Sequence, residues 1–437
     1  MSMKIRVRKS PPLKGVVRVP GDKSISHRAV MLSAIAEGRS RISGFLDGGD
    51  CRATVSVMRD LGVHIEKPRP NELIIHGLGL HGLKTPAEPL DCDNSGTTMR
   101  LMTGILAGQS FASRLIGTMQ LSGRPMNRII KPLALMGAEI GSRDGKAPLD
   151  ISSGHGLKGI EYNMPVASAQ LKSCILVAGL YAEGSTILVE KGPSRDHTER
   201  MLRAMGARVR TEGRLVTIAP QHEPLIPLEV EVPGDMSSAA FLLVAASVVP
   251  KSEITLLGVG VNPTRMGIVQ ALKRMGGDIR IENEHDTFGE PVADVTVRHA
   301  TLEGADFDGD EIVTMIDELP VLAVAAASAR GKTTIRGARE LRVKETDRVA
   351  TTAEELVRLG AKVTTLEDGM IIEGGASLEG TAVKSHGDHR LAMLLTIAGL
   401  VCEGETIVDD AHVTADSFPG FEACLESLGV PIEVDRK

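Results

Sequence analysis

Several short polar segments interrupt an apolar, regularly spaced sequence, and the first of them is KSISHR at residues 23–28. It offers Lys23, Ser24 and Arg28 at the start of a helix that we predict to run to Glu37, with Ser24 as its N-cap. Because the amides at a helix N-terminus attract negative charge, these groups could surround one anion. An ordinary capped amphipathic helix is the alternative interpretation, although it would not need three polar groups at this place.

Further segments in the first half repeat this pattern of small, amide or cationic residues at predicted helix starts. They are NSGTT at 94–98 with Gly96, SGRPMNR at 122–128 with Arg124, SAQLKS at 168–173 with Ser168 and Gln170, and SRDHTE at 194–199 with Arg195. Gly96 would let a ligand approach the helix backbone closely, and Arg124 precedes a helix that we expect to start at Pro125. Each segment alone is a weak signal. Their recurrence indicates one shared anion site.

The second half of the chain carries carboxylates next to cations. In the segment DELP, Asp317 precedes an all-apolar helix, and capping of that helix is an equally good interpretation of this residue. In the segment RVKETDR, Lys344 and Arg348 have the i, i+4 spacing of one helix face. Two cations placed there repel each other unless an anion lies between them. Glu345 falls within the same turn.

The segment HGDHR places Arg390 at the start of another apolar helix. His386 and His389 have a spacing that could suggest a metal ion, but two histidines alone are a poor ligand set. We therefore predict no metal ion at this segment.

A unit of helix, glycine and strand is written six times along the chain. In each copy an apolar helical stretch ends in Leu or Met, a glycine follows, and Ile or Val opens a strand after two more residues. The glycines are Gly62, Gly137, Gly206, Gly276, Gly360 and Gly429. Their spacing of 69 to 84 residues indicates one supersecondary unit, with at least two helices and several strands, repeated through the chain. We expect each glycine to adopt the left-handed conformation that ends a helix.

The tetrapeptide VPGD groups these six repeats into two sets of three. It occurs at 19–22 and at 232–235, each time after an alternating strand and before a helix with serine. We predict one domain at residues 21–232, inserted into another that is made of residues 1–20 plus 233–437. Two short crossovers of this kind would suit hinge closure of an interdomain cleft on a ligand.

Composition restricts the class of function. The chain has 437 residues, of which 42% are hydrophobic, so it can bury two substantial cores. Only 2% of the residues are aromatic and the net charge is −6, which argues against a nucleic-acid surface. The five cysteines have no paired spacing, which predicts reduced, mostly packed thiols. Because no apolar signal region and no run of about 18 apolar residues is present, we expect a cytoplasmic protein that does not associate with membranes.

The motifs KSISHR, NSGTTMR, SGRPM, SAQLKS, DELP, RVKETDR and DHR occur in this order across the six repeats. With them the chain resembles, over essentially its full length, the family of 5-enolpyruvylshikimate-3-phosphate synthases, or 3-phosphoshikimate 1-carboxyvinyltransferases. The segments MPVASAQLKS and SRDHTE look like the class II variety of that family.

The resemblance implies an α/β protein of the enolpyruvyl transferase fold. In that fold two domains, each of three βαβαββ-type repeats forming an inside-out α/β barrel, are joined by a two-strand hinge and close over the substrates. The implied reaction moves the carboxyvinyl group of phosphoenolpyruvate to the 5-hydroxyl of shikimate 3-phosphate and releases phosphate, within the shikimate pathway to aromatic amino acids. No cofactor or metal ion is expected. The expected partners are these two small molecules, and the expected state is a monomer.

By the same resemblance, each site residue receives a role. Shikimate 3-phosphate would be held by Lys23, Ser24, Arg28, Ser168, Ala169, Gln170, Arg195, Asp317 and Lys344. Phosphoenolpyruvate would be surrounded by Lys23, Gly96, Arg124, Gln170, Arg348 and Arg390. Catalysis would fall to Asp317, Glu345, Lys344 and Lys23. Asp317 is expected to take the proton of the 5-hydroxyl, and Glu345, with Lys344, to protonate the methylene carbon and later remove a proton.

Two departures from the family pattern and two alternatives stay open. Asp416 stands where some relatives have Lys, and Glu340 where some have Asn. The sister transferase that acts on UDP-N-acetylglucosamine typically has a Cys in the loop where this chain reads LSGRPMNR, which argues against it. A non-catalytic anion-binding protein is disfavoured because Asp317 and Glu345 beside the cations would weaken pure anion binding. Gly96 resembles the form of the family that is usually sensitive to glyphosate.

Overall fold

The helices and strands follow one order several times, as seen for residues 3–154 and 156–436 of a computed structural model. The described chain begins with β1 (Met3–Arg8) and β2 (Lys14–Val17). The first repeat holds α1 (Lys23–Ala34), β3 (Glu37–Ser43), α2 (Gly49–Asp60), β4 (His64–Arg69) and β5 (Glu72–Leu78). The second holds β6 (Leu90–Asp91), α3 (Gly96–Leu106), β7 (Ser113–Ile116), α4 (Met119–Ser122), α5 (Asn127–Leu135), β8 (Ile140–Arg143) and β9 (Lys146–Ile151). The third holds β10 (Glu161–Asn163), α6 (Ala169–Gly179), β11 (Thr186–Val189), α7 (His197–Ala204), β12 (Val209–Glu212) and β13 (Leu215–Ile218).

The second half repeats this order. Its first repeat follows β14 (Glu229–Glu231) and holds α8 (Met236–Val248), β15 (Glu253–Gly260), α9 (Gly267–Arg274), β16 (Asp278–Thr287) and β17 (Glu290–Arg298). The next holds β18 (Asp306–Phe307), α10 (Asp310–Thr314), α11 (Leu319–Ser328), β19 (Lys332–Ile335), α12 (Arg348–Arg358), β20 (Lys362–Leu366) and β21 (Gly369–Glu373). The last holds β22 (Ala382–Lys384), α13 (His389–Gly399), β23 (Glu405–Asp409), α14 (Phe421–Ser427) and β24 (Ile432–Arg436). Short 3-10 helices lie at Pro263–Arg265, Arg339–Val343 and Ala411–Asp416.

The strands in these described ranges form six four-stranded sheets with a common strand order. Three sheets use only strands of their own repeat, with the orders β6-β7-β9-β8, β10-β11-β13-β12 and β18-β19-β21-β20. In each of them the first two strands are parallel and the rest are antiparallel, which is the topology of a βαβαββ unit. The other three sheets each take one strand from a distant part of the chain, namely β14 beside β3, β2 beside β15, and β1 between β23 and β24.

The internal contacts divide the chain into two units. One unit is Gly21–Val232 together with Thr287–Glu290, and the other contains the chain up to Pro20, Pro233–Asp286 and the chain from Pro291 onward. The short segment Thr287–Glu290, at the turn between β16 and β17, belongs to the first unit and was not part of the predicted boundary.

Each unit has its own hydrophobic core, and three almost fully buried helices dominate it. These are α1, α3 and α6 in the first unit and α8, α11 and α13 in the second. Within the units, α3 packs against α1 and α6, and α11 packs against α8 and α13. Five of the predicted polar motifs stand at or next to the N-termini of α1, α3, α6, α11 and α13, so the core fixes where these motifs lie.

The glycines of the six repeats all have left-handed backbone. Their φ angles lie between +87° and +99°, which non-glycine residues rarely adopt. The predicted helix ends are therefore present in every repeat. Among the described residues, no helix combines the length and apolar character needed to cross a membrane.

Candidate active site

The helix start at KSISHR differs from the prediction in its cap. Asp22 is the N-cap of α1, and its Oδ1 accepts a hydrogen bond from the Ile25 backbone amide at 2.9 Å. The prediction of Ser24 as N-cap is therefore wrong, and the helix ends at Ala34 rather than at Glu37. Because Asp22 does the capping, the hydroxyl of Ser24 is available to other groups, and it accepts a hydrogen bond from Arg195 at 3.4 Å.

Arg28 connects three helices of the first unit. Its Nε donates to the Thr198 hydroxyl at 2.7 Å and its Nη2 to the Ser173 hydroxyl at 2.7 Å, while Nη1 donates to the Ser24 carbonyl at 2.9 Å. The residue is only 3% exposed, and burial lowers the pKa of its guanidinium to about 10. Arg28 thus stays charged at neutral pH and holds α1 against α6 and α7.

Gly96, Gln170 and Arg124 lie together around a residue that the sequence analysis did not select, Arg100. A Cβ atom added to Gly96 would lie 3.0 Å from Nη1 of Arg100 and 3.4 Å from Nη1 of Arg124. Arg100 donates to Oε1 of Gln170 at 2.6 Å, and Nε2 of Gln170 donates to Thr97 at 2.9 Å. Two guanidinium groups therefore lie against the start of α3, and a side chain at position 96 would press on both of them. The position of Arg100 one turn after Gly96 was the available sequence signal.

Three predictions about the remaining helix starts of this unit have different outcomes. Ser168 is the N-cap of α6, as its position implied, and accepts from the Leu171 amide at 3.4 Å; Ala169 follows it as the first helical residue. Lys23 forms an ion pair with Asp50 in the first turn of α2. The helix after Arg124 was predicted to start at Pro125, which is wrong, because α5 starts at Asn127.

In the second unit, Arg348 is the centre of a group of carboxylates. It is 1% exposed, and its Nε and Nη2 bind the two carboxylate oxygens of Asp388 at 2.7 and 3.1 Å. Glu345 lies 2.5 Å from Nη2, and Asp317 lies 3.5 Å from Nη1. Burial lowers the pKa of Arg348, but the charges of Asp388, Glu345 and Asp317 outweigh burial and raise it above its ordinary value. The two-pronged contact with Asp388 fixes the plane of the guanidinium.

Asp317 lies between two of the predicted cations. Its Oδ1 is 3.2 Å from Nζ of Lys344 and 3.5 Å from Nη1 of Arg348, and its backbone carbonyl accepts from Arg390 at 3.0 Å. Asp317 does not cap α11, because the N-cap is Glu318. Asp317 is thus the anion that the spacing of Lys344 and Arg348 required. These two cations do not share a helix, because α12 starts only at Arg348.

The structure therefore groups the predicted residues into two clusters. The first cluster, in the unit Gly21–Val232, contains Lys23, Ser24, Arg28, Gly96, Arg124, Ser168, Ala169, Gln170 and Arg195. The second cluster contains Asp317, Lys344, Glu345, Arg348 and Arg390. Glu340 and Asp416, whose roles the sequence left open, lie on the 3-10 helices Arg339–Val343 and Ala411–Asp416.

Two buried partners in the second unit were missed by sequence reasoning. Asp388 is completely buried. Burial raises the pKa of its carboxyl group, but the positive charge of Arg348 outweighs burial and holds the pKa below its ordinary value. Glu355, also buried, accepts from the Lys384 amide at 3.1 Å and lies 2.7 Å from Nε2 of His386. Both carboxylates hold the segment that precedes α13 and Arg390.

A buried ion group also lies behind the first cluster. Lys172 of α6 is 1% exposed, and its Nζ lies 2.6 Å from Glu199, 3.1 Å from Glu190 and 3.3 Å from the Ser194 carbonyl. A lysine inside the otherwise apolar helix of SAQLKSCILVAG was the available signal. Through Ser194 this group contacts the segment that carries Arg195.

His27, next to Arg28, predicts a loss of stability in acid. It is completely buried, and burial is the main reason that its pKa is lowered to about 3. The unfolded chain, with a pKa near 6.5, binds the proton first, so stability is complete above that pH and falls as the pH decreases toward 3. At pH 5 this group should reduce the free energy of unfolding by about 2 kcal/mol.

Unfolding of the wild type, His27→Gln and the exposed control His222→Gln, measured against pH, tests this expectation. The control should keep the wild-type dependence, whereas His27→Gln should lose part of it. Identical pH dependence in all three proteins would contradict it.

Comparison with known proteins gives the family. The family model of EPSP synthase (3-phosphoshikimate 1-carboxyvinyltransferase) matches residues 7–425. A 3-phosphoshikimate 1-carboxyvinyltransferase from Citrifermentans bemidjiense is 51% identical over 97% of this chain and 98% of its own length. An EPSP synthase structure from Acinetobacter baumannii has a TM-score of 0.89 and 45% identity, with complete coverage of both chains. The enolpyruvyl transferase NikO from Streptomyces tendae, at 19% identity and a TM-score of 0.82, is similar in fold. The predicted enolpyruvyl transferase fold is thus confirmed, and the chain belongs to the EPSP synthase family of 3-phosphoshikimate 1-carboxyvinyltransferases.

Proposed function

We propose that the two clusters together carry out the reaction of this family, the transfer of the enolpyruvyl group of phosphoenolpyruvate to the 5-hydroxyl of shikimate 3-phosphate. The observation that carries the proposal is the arrangement around Arg348. There, Asp317 and Glu345 are held within 3.5 Å of cations suited to bind phosphate and carboxylate groups. A reaction that needs proton transfer next to a bound polyanion requires this combination.

The first cluster provides the binding groups for shikimate 3-phosphate. Ser24 and Arg195 are already joined by a hydrogen bond, and Arg28 holds α1 against α7, which starts two residues after Arg195. Ser168 and Gln170 at the start of α6 add a hydroxyl and an amide beside backbone amides of a helix N-terminus. These groups suit a phosphate ester with free hydroxyls.

Phosphoenolpyruvate needs positive charge on both its phosphate and its carboxylate. Arg124 supplies it at Gly96 in the first cluster, with Lys23 on the same unit, and Arg348 and Arg390 supply it in the second cluster. Each cluster therefore offers cations that suit the anionic groups of this substrate.

Proton transfer completes the mechanism. The 5-hydroxyl oxygen bonds to C2 of phosphoenolpyruvate while its proton goes to the Asp317 carboxylate, and C3 receives a proton from the protonated form of Glu345 to give a tetrahedral intermediate. Loss of phosphate from C2 and return of a C3 proton to Glu345 then restore the double bond. Lys344, 3.2 Å from Asp317, stabilises the carboxylate and the negative charge of the phosphate.

Phosphate release from phosphoenolpyruvate tests the proposal directly. Purified protein is assayed with shikimate 3-phosphate, with UDP-N-acetylglucosamine and without an acceptor. Release only with shikimate 3-phosphate is the expected result. Release only with the nucleotide sugar would move the activity to the sister reaction, and ligand binding without release would identify a non-catalytic protein.

Replacing Arg124 should weaken phosphoenolpyruvate binding more than turnover. Loss of one charge-assisted contact costs about 1.5 to 3 kcal/mol, so Arg124→Ala should raise the KM for phosphoenolpyruvate roughly ten- to a hundredfold. The KM for shikimate 3-phosphate should change little. Arg114→Ala, an exposed arginine of the same unit, is the control. A fall in kcat at unchanged KM would contradict this role for Arg124.

A further inference from the structure

We propose that His64, Glu66 and His76 form a binding site for a divalent ion of the zinc type on the sheet β14-β3-β5-β4. This site belongs to neither cluster and does not depend on the proposed reaction. It is built from two adjacent strands of the first unit.

The strand pairing puts the three side chains on one face. β4 is the edge strand of its sheet, and His64 and Glu66 are two residues apart on it, so their side chains point to the same side. His76 of β5 is directly opposite His64 in the antiparallel register. Side chains in such a cross-strand pair are close enough to share a ligand.

The donor atoms converge. Oε1 of Glu66 lies 2.6 Å from Nε2 of His76 and 3.7 Å from Nε2 of His64, and all three donor atoms lie within 4.8 Å of one another. The two imidazole rings are 5.0 Å apart between centroids. A tetrahedral zinc ion at about 2.0 to 2.1 Å from each ligand needs donor separations of roughly 3.3 Å. Small side-chain rotations therefore convert this arrangement into a three-ligand site.

The chemistry of the donor set favours zinc over calcium or magnesium. Two imidazole nitrogens and one carboxylate oxygen match the ligands of open zinc sites, whereas calcium and magnesium prefer oxygen alone. The side chains are 71%, 45% and 42% exposed for His64, Glu66 and His76, which leaves the fourth position open to water.

One neighbouring charge opposes the metal ion. β5 pairs with β4 along one edge and with β3 along the other, and Arg39 of β3 is the cross-strand neighbour of His76. Its positive charge should weaken zinc binding relative to a closed structural site. The second group of candidate ligands in the described chain, Glu354, Glu355 and His386, is less suitable, because Glu355 is buried and already accepts from the Lys384 amide.

Bound zinc should join the edge strand β4 to β5. Since the ion binds the folded chain and a preformed pair of strands, it should raise the thermal midpoint of unfolding. The effect should be seen without substrates, so it is distinguishable from the effects of active-site ligands.

The test is a Zn²⁺ titration of full-length protein without a histidine tag, in competition with a chromophoric chelator. His64→Asn and His76→Asn should each weaken binding at least about tenfold and abolish the thermal shift. The exposed control His222→Asn and the variant His386→Asn should bind one zinc ion like the wild type. Absence of saturable binding would overturn the proposal. So would binding that persists in His76→Asn or is lost in His386→Asn.

Discussion

Asp317→Asn and Glu345→Gln should each fold and bind both substrates, yet lose turnover by roughly a factor of 10² to 10⁴, the usual contribution of a general acid or base. The structure adds a signature that separates this result from lost binding. Asp317 lies between Lys344 and Arg348, so its neutralisation leaves both cations available to an anionic substrate. The KM for phosphoenolpyruvate should therefore not rise in Asp317→Asn while kcat falls.

Glu345→Gln should lower kcat by a similar factor, because it removes the proton donor for C3 rather than the acceptor of the hydroxyl proton. Arg348 keeps its two-pronged contact with Asp388 when the charge of Glu345 is removed, so the guanidinium should stay in place. Glu354→Gln on the exposed side of α12 is the matched control and should behave like the wild type. Steady-state kinetics with each substrate varied, together with substrate binding by calorimetry, measure both effects. Wild-type turnover in either variant would remove that residue from the mechanism.

The repeated architecture was predictable because its signals are local. A glycine with left-handed backbone and a β-branched residue three positions later mark a helix end and a strand start in the sequence itself. Strand pairing is a different matter. β1, β2 and β14 complete sheets whose other strands come from distant parts of the chain. Local sequence patterns do not indicate which distant strand pairs with which.

The sequence indicated which residues belong to the candidate site, but it did not indicate which partners they contact. At the start of α1, Asp22 and Ser24 are both good capping residues, and the sequence does not decide between them. The spacing of Lys344 and Arg348 correctly required an anion, but only the structure identifies Asp317 as that group. Asp388, Arg100 and Glu355 act through contacts between elements that are far apart in the chain.

The contacts of Lys172 with Glu190 and Glu199 could not be predicted from the sequence either, and we expect the largest effect on stability from replacing this lysine. Lys172→Met would remove the cation that lies 2.6 Å from Glu199 and 3.1 Å from Glu190, and would leave two carboxylates in a buried site. Breaking a buried ion pair from one side costs about 3 to 5 kcal/mol. Lys191→Met, an exposed lysine nearby, should have little effect on the free energy of unfolding. Because Lys172 also donates to the Ser194 carbonyl beside Arg195, the variant should raise the KM for shikimate 3-phosphate more than that for phosphoenolpyruvate.

The pH dependence of the Lys172→Met deficit identifies its cause. Burial raises the pKa of Glu199 and Lys172 opposes this shift, so removing Lys172 should raise that pKa further. A carboxyl group whose pKa is raised in the folded protein does not destabilise the fold at a pH below its unfolded pKa. Its destabilising effect grows as the pH rises from the unfolded pKa toward the folded pKa. The deficit should therefore be smaller in mildly acidic than in mildly alkaline buffer, and Glu199→Gln added to Lys172→Met should recover part of it. A deficit that is independent of pH and unchanged by the second substitution would show that lost packing, rather than uncompensated charge, destabilises the variant.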